Sequence, residues 1–162
     1  MSEFGIYREG GTTPQLMATI NLVLAARRWR GMLDEEFRKR GQSAARMEAL
    51  AAIMNVPTGS SQRQVADRLR IEGPTMTRMV DALVRDGLVE RHASEEDRRR
   101  NTLHLTPAGE EELQAMFAVM EPMRAELLEG WTSEDAAELA ASLGGLLRRL
   151  DGGLPKARGR KA

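Results

Sequence analysis

Apolar residues return at helical spacing through the first quarter of the chain. Between Leu16 and Phe37 they recur every three to five residues, which is typical of one face of a long amphipathic helix. We predict this helix over residues 14–40, a length of about 40 Å at 1.5 Å per residue. A small globule cannot cover so long a helix, so we expect it to pack on a partner chain. Residues 1–13 are polar and contain glycine, and they are predicted to be a flexible N-terminus.

Capping and turn residues predict a pair of short helices in the middle of the chain. Ser61 and Gln64 have the spacing of a capping box, so a helix should cover about residues 62–69. Pro74 suits the first turn of a second helix, which should end at Gly87 because glycine tolerates a left-handed termination. Two helices joined by a short turn are a candidate helix-turn-helix.

Two short strands are predicted after this helix pair. The strand candidates are residues 88–92 and residues 101–105, and the second alternates polar and apolar side chains. The segment between them, residues 93–100, is highly charged and too long for a tight hairpin. It should therefore project as a wing.

The C-terminal third is again predicted to be helical. Thr106 can cap a helix with Pro107 in its first turn, and a further helix should run to about Leu150. The tail, residues 151–162, has no apolar periodicity and a basic end, so it is predicted to be disordered. The predicted fold class is mainly α with a small β-wing, in which long helices flank a winged helix-turn-helix unit.

Composition narrows the classes of protein that fit. The 162 residues include no cysteine, which excludes disulfides, thiolate metal sites and cysteine nucleophiles. Two histidines, His92 and His104, hold a metal ion poorly by themselves, so neither a metal site nor a cofactor is expected. With 41% hydrophobic and 30% charged residues, no apolar run long enough for a membrane span and no secretory pattern at the start, we expect a cytoplasmic protein.

The charge balance constrains how the chain could bind nucleic acid. The formal net charge is zero, which argues against a protein that is held on DNA by bulk positive charge. Any DNA-binding face must therefore arise on folding, with arginines turned to one side and carboxylates to the other.

Two linked stretches of the sequence match a known pattern. They are SQRQVADRLRIEGPTMTRMVDALVRDGLVER at residues 61–91 and DRRRNTLHLTPAG at residues 97–109. In composition, order and interval they resemble the helix-turn-helix and the wing of the MarR/SlyA family of bacterial transcription regulators. Two residues depart from the family pattern: Arg46, where many members carry Gln or His, and Arg70, which replaces a common turn glycine.

The resemblance implies a homodimer that binds double-stranded DNA. Residues 14–40 and 107–150 of both chains would form an intertwined helical dimerisation region, and residues 41–106 the winged helix-turn-helix domain. A two-fold dimer would bind a palindromic operator whose half-sites lie about one helical turn apart. Because the resemblance is to transcription regulators, we expect a transcriptional regulator and not an enzyme. Repression is the usual mode of action in the family.

The second helix of the pair should present its outer face to the major groove. Its apolar positions, taken as the core face, turn Thr75, Thr77 and Arg78 outward in the first two turns. Arg78 can donate two parallel hydrogen bonds to guanine and is the first candidate for reading bases. The alternative is a surface arginine that pairs with Asp81 or Asp86.

Further candidate DNA contacts flank this helix. At the start of the preceding helix, free amides and polar side chains suit phosphate contacts. On the wing, arginines could reach the adjacent minor groove, and the resemblance suggests that Asp97 orients Arg99 by a salt bridge. The alternative interpretation of the wing is a solvated run of charges. The flanking candidates are Ser61, Gln62, Arg63, Asp97, Arg98, Arg99 and Arg100.

Members of the family commonly respond to small anionic aromatic compounds, bound between the dimerising helices and the DNA-binding module. Here the effector could be an aromatic carboxylate or a phenol. Arg46 could pair with the carboxylate, because its guanidinium matches a planar anion. The alternative is that the apolar candidates are ordinary core residues and that Arg46 pairs with Glu48 or a nearby acid. The candidate effector-binding residues are Trp29, Met32, Arg46, Met47, Leu50 and Met54.

Two other classes of function compete with a DNA-binding regulator. An enzyme would need a nucleophile with a base, a metal set or a glycine-rich phosphate loop, and no such motif occurs in the sequence. A winged-helix module that binds protein would bind no operator and show little salt dependence. A DNA-binding protein should instead lose affinity steeply as salt rises.

Overall fold

The computed structural model describes residues 3–56, 60–93 and 101–153, and these are mainly helical. In chain order the elements are α1 (Glu3–Arg8), α2 (Pro14–Arg38), α3 (Ala44–Met54), β1 (Ser60–Ser61), α4 (Gln62–Leu69), α5 (Gly73–Arg85), β2 (Val89–Ala93), β3 (Asn101–Leu105), α6 (Pro107–Leu127) and α7 (Ser133–Asp151). This confirms the predicted mainly α fold with a small sheet. The chain forms two compact units, divided after Met120. Within the described ranges, no helix has the length and apolar character needed to cross a bilayer.

Helices α2 and α3 begin where a capping side chain precedes the helical pattern. The Thr13 hydroxyl accepts a hydrogen bond from the Leu16 amide at 3.2 Å, and the Ser43 hydroxyl accepts one from the Arg46 amide at 3.3 Å. The buried residues of α2 are confined to its C-terminal half: Leu33 and Phe37. The first half of this helix therefore contributes little to the core of its own chain.

A short helix precedes α2, within residues predicted to be a flexible N-terminus. α1 is followed by two backbone hydrogen bonds, from Gly10 to the Tyr7 carbonyl at 3.0 Å and from Gly11 to the Ile6 carbonyl at 2.8 Å. Gly10 has a φ of +80°, the left-handed conformation that commonly ends a helix. The sequence pattern therefore missed α1, whereas the helix predicted from residue 14 is present as α2. Six residues are too few to show helical periodicity.

The sheet lies directly beside the helix pair in the chain. Its strand order is β1-β3-β2, and both pairings are antiparallel. β2 and β3 pair from Val89 opposite Leu105 to Ala93 opposite Asn101, so both predicted strands are present. β1, which pairs with β3 just before α4, was not predicted. Two residues show no alternation, and a strand of that length leaves no signal in the sequence.

The helix pair and the sheet share one apolar core. α3 packs on α4 and on β3, while α5 packs on α4 and on β2. Burying one such side chain contributes roughly 1.5–3 kcal/mol, so the buried face of α5 fixes which side it turns outward. The largest fully buried side chains are Phe37, Leu50, Ile53, Val65, Met76, Val80, Leu83, Val89, Leu103, Leu113 and Met116.

The start of α6 lies against the backbone that follows the helix pair. The Thr106 hydroxyl donates to the Gly87 carbonyl at 2.6 Å and accepts from the Gly109 amide at 3.0 Å. The Thr106 amide donates to the Leu88 carbonyl at 3.1 Å. A Cβ added at Gly109 would lie 2.0 Å from that same carbonyl oxygen. This close approach of two backbones requires glycine at position 109.

The turn between α4 and α5 contains an arginine in a left-handed backbone conformation. Arg70 has a φ of +55°, the only positive value at a non-glycine residue in the described part of the chain. The next amide, of Ile71, donates to the Ala66 carbonyl at 3.1 Å and closes α4. Glycine suits this conformation better, because it costs other L residues about 1–2 kcal/mol.

The Arg70 backbone can be tested with two truncations. Arg70→Gly and Arg70→Ala both remove the long side chain and its contacts, but only glycine removes the steric cost. We expect the free energy of unfolding to be about 1 kcal/mol higher for the glycine variant than for the alanine variant. Chemical denaturation measures the difference. Equal stabilities, or a more stable alanine variant, would contradict the left-handed assignment.

The C-terminal unit contains the end of α6 and all of α7, which starts in a capping box. The Asp135 amide donates to the Thr132 hydroxyl at 3.1 Å, and the Thr132 hydroxyl and amide donate to Asp135 Oδ2 at 2.7 and 2.8 Å. The hydroxyl first, and then the amide, hold the pKa of the Asp135 carboxyl below its ordinary value. A lowered pKa stabilises the folded state above the unfolded pKa, so this contribution is lost as acid protonates the carboxylate.

Candidate nucleic-acid interface

The start of α4 holds three of the residues predicted to contact DNA. Ser61 forms the expected capping box, since its hydroxyl accepts from the Gln64 amide at 3.3 Å and its amide donates to Gln64 Oε1 at 2.8 Å. Gln62 and Arg63 follow in the first turn. The Arg63 side chain is 91% exposed, and its 3.9 Å separation from Asp67 is too long for a hydrogen bond. Its guanidinium is therefore accessible to a ligand.

Helix α5 has one buried and one exposed face. Met76, Val80 and Leu83 are buried as the sequence pattern predicts, whereas Val84 is half-buried. Ala82 is half-buried as well. The exposed side chains of this helix include Thr75, Thr77, Arg78 and Asp81. The predicted base-reading positions thus lie on the outer surface.

A direct hydrogen bond joins the two helices of the pair at this surface. Gln62 Nε2 donates to Thr77 Oγ1 at 2.6 Å, and the Thr77 hydroxyl donates to the Gly73 carbonyl at 3.0 Å. An open groove of about 340 Å³ lies beside this bond, between α4 and the first turns of α5. Its lining includes Gln62, Arg63, Met76 and Thr77. The groove brings predicted site residues of both helices together.

The two acids considered as partners of Arg78 are paired with other arginines. Asp81 Oδ1 accepts from Arg91 Nη2 at 2.5 Å, which ties α5 to β2. Asp86 Oδ2 accepts from Arg46 Nη2 at 2.7 Å, which ties the end of α5 to α3. Arg78 has no ion pair with any described residue. The alternative of an Arg78 neutralised by its own helix is therefore not the arrangement observed.

The wing residues predicted to contact DNA, 97–100, lie outside the described residues. At the base of the wing, the rings of His92 and His104 stack with their centroids 4.5 Å apart. His92 Nε2 lies 2.9 Å from a Glu90 carboxylate oxygen, and His104 Nε2 lies 2.9 Å from the Thr102 hydroxyl. Among the residues that the structure describes, no group of three or more ligating side chains could hold a metal ion.

The apolar residues proposed to bind an effector have different environments. Met47 and Leu50 are buried on α3 and belong to the core. Trp29 is half-buried, and Met32 and Met54 are 52% and 47% exposed. The set thus combines two buried core residues of α3 with exposed methionines on α2 and α3.

The remaining effector candidate, Arg46, is already engaged. Its Nε donates to Gln42 Oε1 at 2.7 Å, and its Nη2 donates to Asp86, also at 2.7 Å. Glu48, named as an alternative partner, pairs with Arg30 at 2.6 Å instead. The acid that pairs with Arg46 therefore comes from α5, across the fold.

Two ion pairs of this surface, Arg91–Asp81 and Arg46–Asp86, could not have been found from the sequence alone. Arg91 is ten positions from Asp81, and Arg46 is 40 positions from Asp86. Each pair lies on two different elements, so the periodicity of a single helix or strand does not relate its members. Only the packing of α3 and β2 around α5 brings these charges together.

A family model and several solved structures are similar to this chain in sequence or in fold. A MarR family model matches residues 42–100, from just before α3 into the wing. The solved structure of the transcriptional regulator PA3341 is 30% identical in sequence and has a TM-score of 0.74. That match covers 83% of this chain and 98% of the other chain.

Two more distant structures have the same architecture. The transcriptional regulator SlyA matches at 16% identity with a TM-score of 0.73, over 83% of this chain and 94% of its own. MepR of S. aureus, solved in complex with DNA, matches at 19% identity and a TM-score of 0.73, over 85% of this chain and 99% of its own. These likenesses confirm the winged helix-turn-helix fold. Together with the family match and the 30% identical relative, they show that the chain belongs to the MarR family of transcriptional regulators.

Proposed function

We propose that the protein is a repressor that binds a palindromic DNA operator as a homodimer and is released by a small effector. The observation that carries DNA binding is the outer face of α5, where Arg78 is exposed beside the Gln62–Thr77 hydrogen bond. The similarity to MepR, whose structure was solved with DNA, supports this ligand. Such a regulator acts on the chromosome, and we expect it in the cytoplasm.

In the proposed complex the first turns of α5 enter the major groove. Arg78 donates two parallel N–H groups to O6 and N7 of a guanine, a pattern that distinguishes guanine from the other bases. Thr75 and Thr77 lie on the same face, and their hydroxyls suit contacts to bases or phosphates. Gln62 already holds the Thr77 hydroxyl, so this part of the surface is organised before DNA binds.

The start of α4 supplies contacts to the phosphate backbone. A helix N-terminus has amides without intrahelical partners and a partial positive charge, and both favour a phosphate. Ser61 positions the helix through its capping box, while the exposed Arg63 contributes a charge. Contacts of this kind set the register of α5 in the groove and carry no base preference.

The wing adds a minor-groove contact to this proposal. Its three consecutive arginines, Arg98, Arg99 and Arg100, form the most basic segment of the winged unit. A narrow minor groove concentrates negative potential and attracts such side chains. In the same proposal Asp97 orients Arg99 by a salt bridge and does not itself contact DNA.

The proposed partner for dimerisation is a second copy of the chain. α7 has no buried residue, and the first half of α2 exposes Val23 and Leu24, each by 47%. The large exposed apolar residues of the C-terminal unit are Leu127, Trp131, Leu139, Leu146, Leu147 and Leu150. Exposed apolar surface of this kind marks an interface. We infer that residues 14–40 and 107–150 of two copies pair and cover it.

Two-fold symmetry determines the form of the proposed operator. A symmetric dimer presents two identical α5 helices, so each must meet the same base sequence in opposite orientation. The operator should be an inverted repeat whose half-sites lie about 34 Å apart, one turn of the double helix. Occupation of such a site at a promoter blocks transcription, which is the repressor role proposed here.

The proposed effector is a small aromatic carboxylate or phenol. Trp29, Met32 and Met54 offer partly exposed apolar surface, and Arg46 offers a guanidinium that can bind a carboxylate at two points. Because Asp86 already occupies this guanidinium, an effector carboxylate would compete with it. Release follows only if the effector binds more tightly to a dimer geometry in which the α5 helices no longer fit successive grooves.

Salt dependence distinguishes DNA binding from binding of a protein partner. Each neutralised phosphate releases counterions, so operator affinity should fall at least about 100-fold between 50 and 200 mM salt in a fluorescence anisotropy titration. Arg63→Gln should reduce the slope of this dependence by about two, because the dimer loses one phosphate contact on each protomer. The matched control is Arg85→Gln at the end of α5, which should leave the slope unchanged. Salt-independent binding would favour a protein-binding module instead.

A further inference from the structure

An ion pair with a second supporting hydrogen bond joins α3 to the end of α5. Arg46 Nη2 donates to Asp86 Oδ2 at 2.7 Å, and Arg46 Nε donates to Gln42 Oε1 at the same distance. The Arg46 side chain is only 19% exposed, unlike typical surface ion pairs between two mobile groups. Bonds from two different nitrogens fix the plane of the guanidinium. Asp86 is therefore held at a defined place relative to α3.

Asp86 is a carboxylate at the unfavourable end of a helix. It is the C-cap residue of α5, and its amide donates to the carbonyls of Ala82 and Val84. The C-terminal end of a helix carries a partial negative charge, which repels a carboxylate. Arg46 supplies the cation that offsets this repulsion. The last turn of α5 is thus stabilised from outside the helix-turn-helix.

α3 is itself fixed to the long helix α2. Arg30 Nη1 donates to Glu48 Oε1 at 2.6 Å, and Asp34 Oδ1 accepts from the Ala44 amide at 2.7 Å. Both bonds end on the first half of α3, the half that also carries Arg46. A continuous set of polar contacts therefore runs from α2 through α3 to the end of α5.

Polar links hold α5 at three points along its length. α4 bonds its start through Thr77, β2 bonds its middle through Asp81, and α3 bonds its end through Asp86. At 1.5 Å per residue, Asp86 lies about 12 Å along the helix from Arg78. The third link therefore acts at the end of α5 that is remote from the proposed base-reading side chain. Arg46 can influence α5 without contacting DNA.

We propose that Arg46 is a positioning residue for DNA recognition, which sets the orientation of α5 through its ion pair with Asp86. This inference rests on the proposed DNA-binding function. The apolar core determines which face α5 buries. The ion pair at its end adds a directional restraint on the position of the helix along its axis. Loss of the pair moves α5 away from the geometry that fits the operator.

Two variants with opposite changes of charge test this role. Arg46→Gln removes a positive charge, Asp86→Asn removes a negative charge, and each breaks the pair. If charge alone mattered, Asp86→Asn would bind DNA more tightly and Arg46→Gln less tightly. A positioning role lowers the operator affinity of both, by about tenfold for each half-site and so about 100-fold for the dimer, from the loss of one charge-assisted hydrogen bond per protomer. The probes are an operator fragment selected from the source genome and a scrambled duplex of equal length, compared by fluorescence anisotropy.

A charge swap and a matched control complete the test. Arg46→Glu combined with Asp86→Arg should recover most of the operator affinity. Both new charges suit their helix ends, with an acid in the first turn of α3 and a base at the end of α5. Arg85→Gln removes one exposed cation from the same end of α5, outside the pair of Arg46 with Asp86, and should leave the operator affinity unchanged.

Two results would overturn the inference: Asp86→Asn retains or gains operator affinity, or the charge swap binds no better than Arg46→Gln. Asp86→Asn is nearly isosteric at a side chain that is 44% exposed, so it should fold, and thermal unfolding verifies this. If the unmodified protein binds no selected fragment, the proposed function fails. If it binds and Asp86→Asn binds equally well, only the role of Arg46 fails.

Discussion

Arg78→Ala should lower operator affinity at least about 30-fold, because a bidentate arginine–guanine pair contributes about 1–3 kcal/mol of discrimination and the proposed dimer loses one pair in each half-site. Affinity for a scrambled duplex should fall much less, since that affinity depends on phosphate contacts and overall charge. The preference for the operator then disappears. Arg78 is exposed and has no ion pair with a described residue, so the fold and the dimer should be unaffected. Footprinting and anisotropy titrations measure both affinities.

The matched control for this substitution is Arg85→Ala. Arg85 lies on the same helix, its side chain is 76% exposed, and it is 3.9 Å from Asp86. Its replacement by alanine removes the same charge as Arg78→Ala, but at the opposite end of α5. The Arg85→Ala variant should retain the preference for the operator over the scrambled duplex. An Arg78→Ala variant whose footprint equals that of the unmodified protein would reject the base-reading role.

Gly109→Ala should destabilise the protein by about 3 kcal/mol or more, the upper range for overpacking a well-packed site. The added Cβ would lie 2.0 Å from the Leu88 carbonyl oxygen and 2.9 Å from its carbon, and both are backbone atoms that cannot swing aside. The hydrogen bonds of Thr106 hold the two segments together at this point. The better helix propensity of alanine, about 1 kcal/mol, is too small to compensate. Chemical denaturation measures the loss.

Gly31→Ala provides the contrasting substitution. Gly31 lies within α2, where an added Cβ meets no atom within 4 Å of the chain. Its stability should therefore be retained or increased by up to about 1 kcal/mol, from helix propensity alone. Equal free energies of unfolding for Gly109→Ala and Gly31→Ala would contradict the close approach of α6 to the Leu88 backbone.

Most of the helices could be predicted because their signals are local in sequence. The Ser61–Gln64 and Thr132–Asp135 pairs are each three residues apart, and both form capping boxes in the structure. The motifs of the helix-turn-helix and wing are likewise contiguous, so the family resemblance could be drawn from them and is confirmed. α1 and β1 were missed because a six-residue helix and a two-residue strand are shorter than the periods that reveal such elements.

The electrostatics of the site could not be predicted in the same way. Arg46 was expected to bind an effector or to pair with Glu48 or a nearby acid, and the acid that it meets is Asp86. The pairing of Asp81 with Arg91 was not anticipated at all. Both contacts depend on how separate elements pack, and the spacing of charges along a chain carries no information about that packing.

The central claim is that two copies of this chain present their α5 helices to successive major grooves of one duplex. Selection of genomic fragments by the purified protein, followed by footprinting and by the mass of the complex, tests it most directly. The account predicts protection of an inverted repeat with half-sites about 34 Å apart, occupied by two 18.0 kDa chains. A monomeric protein, or one that enriches no fragment of its own genome, would contradict it.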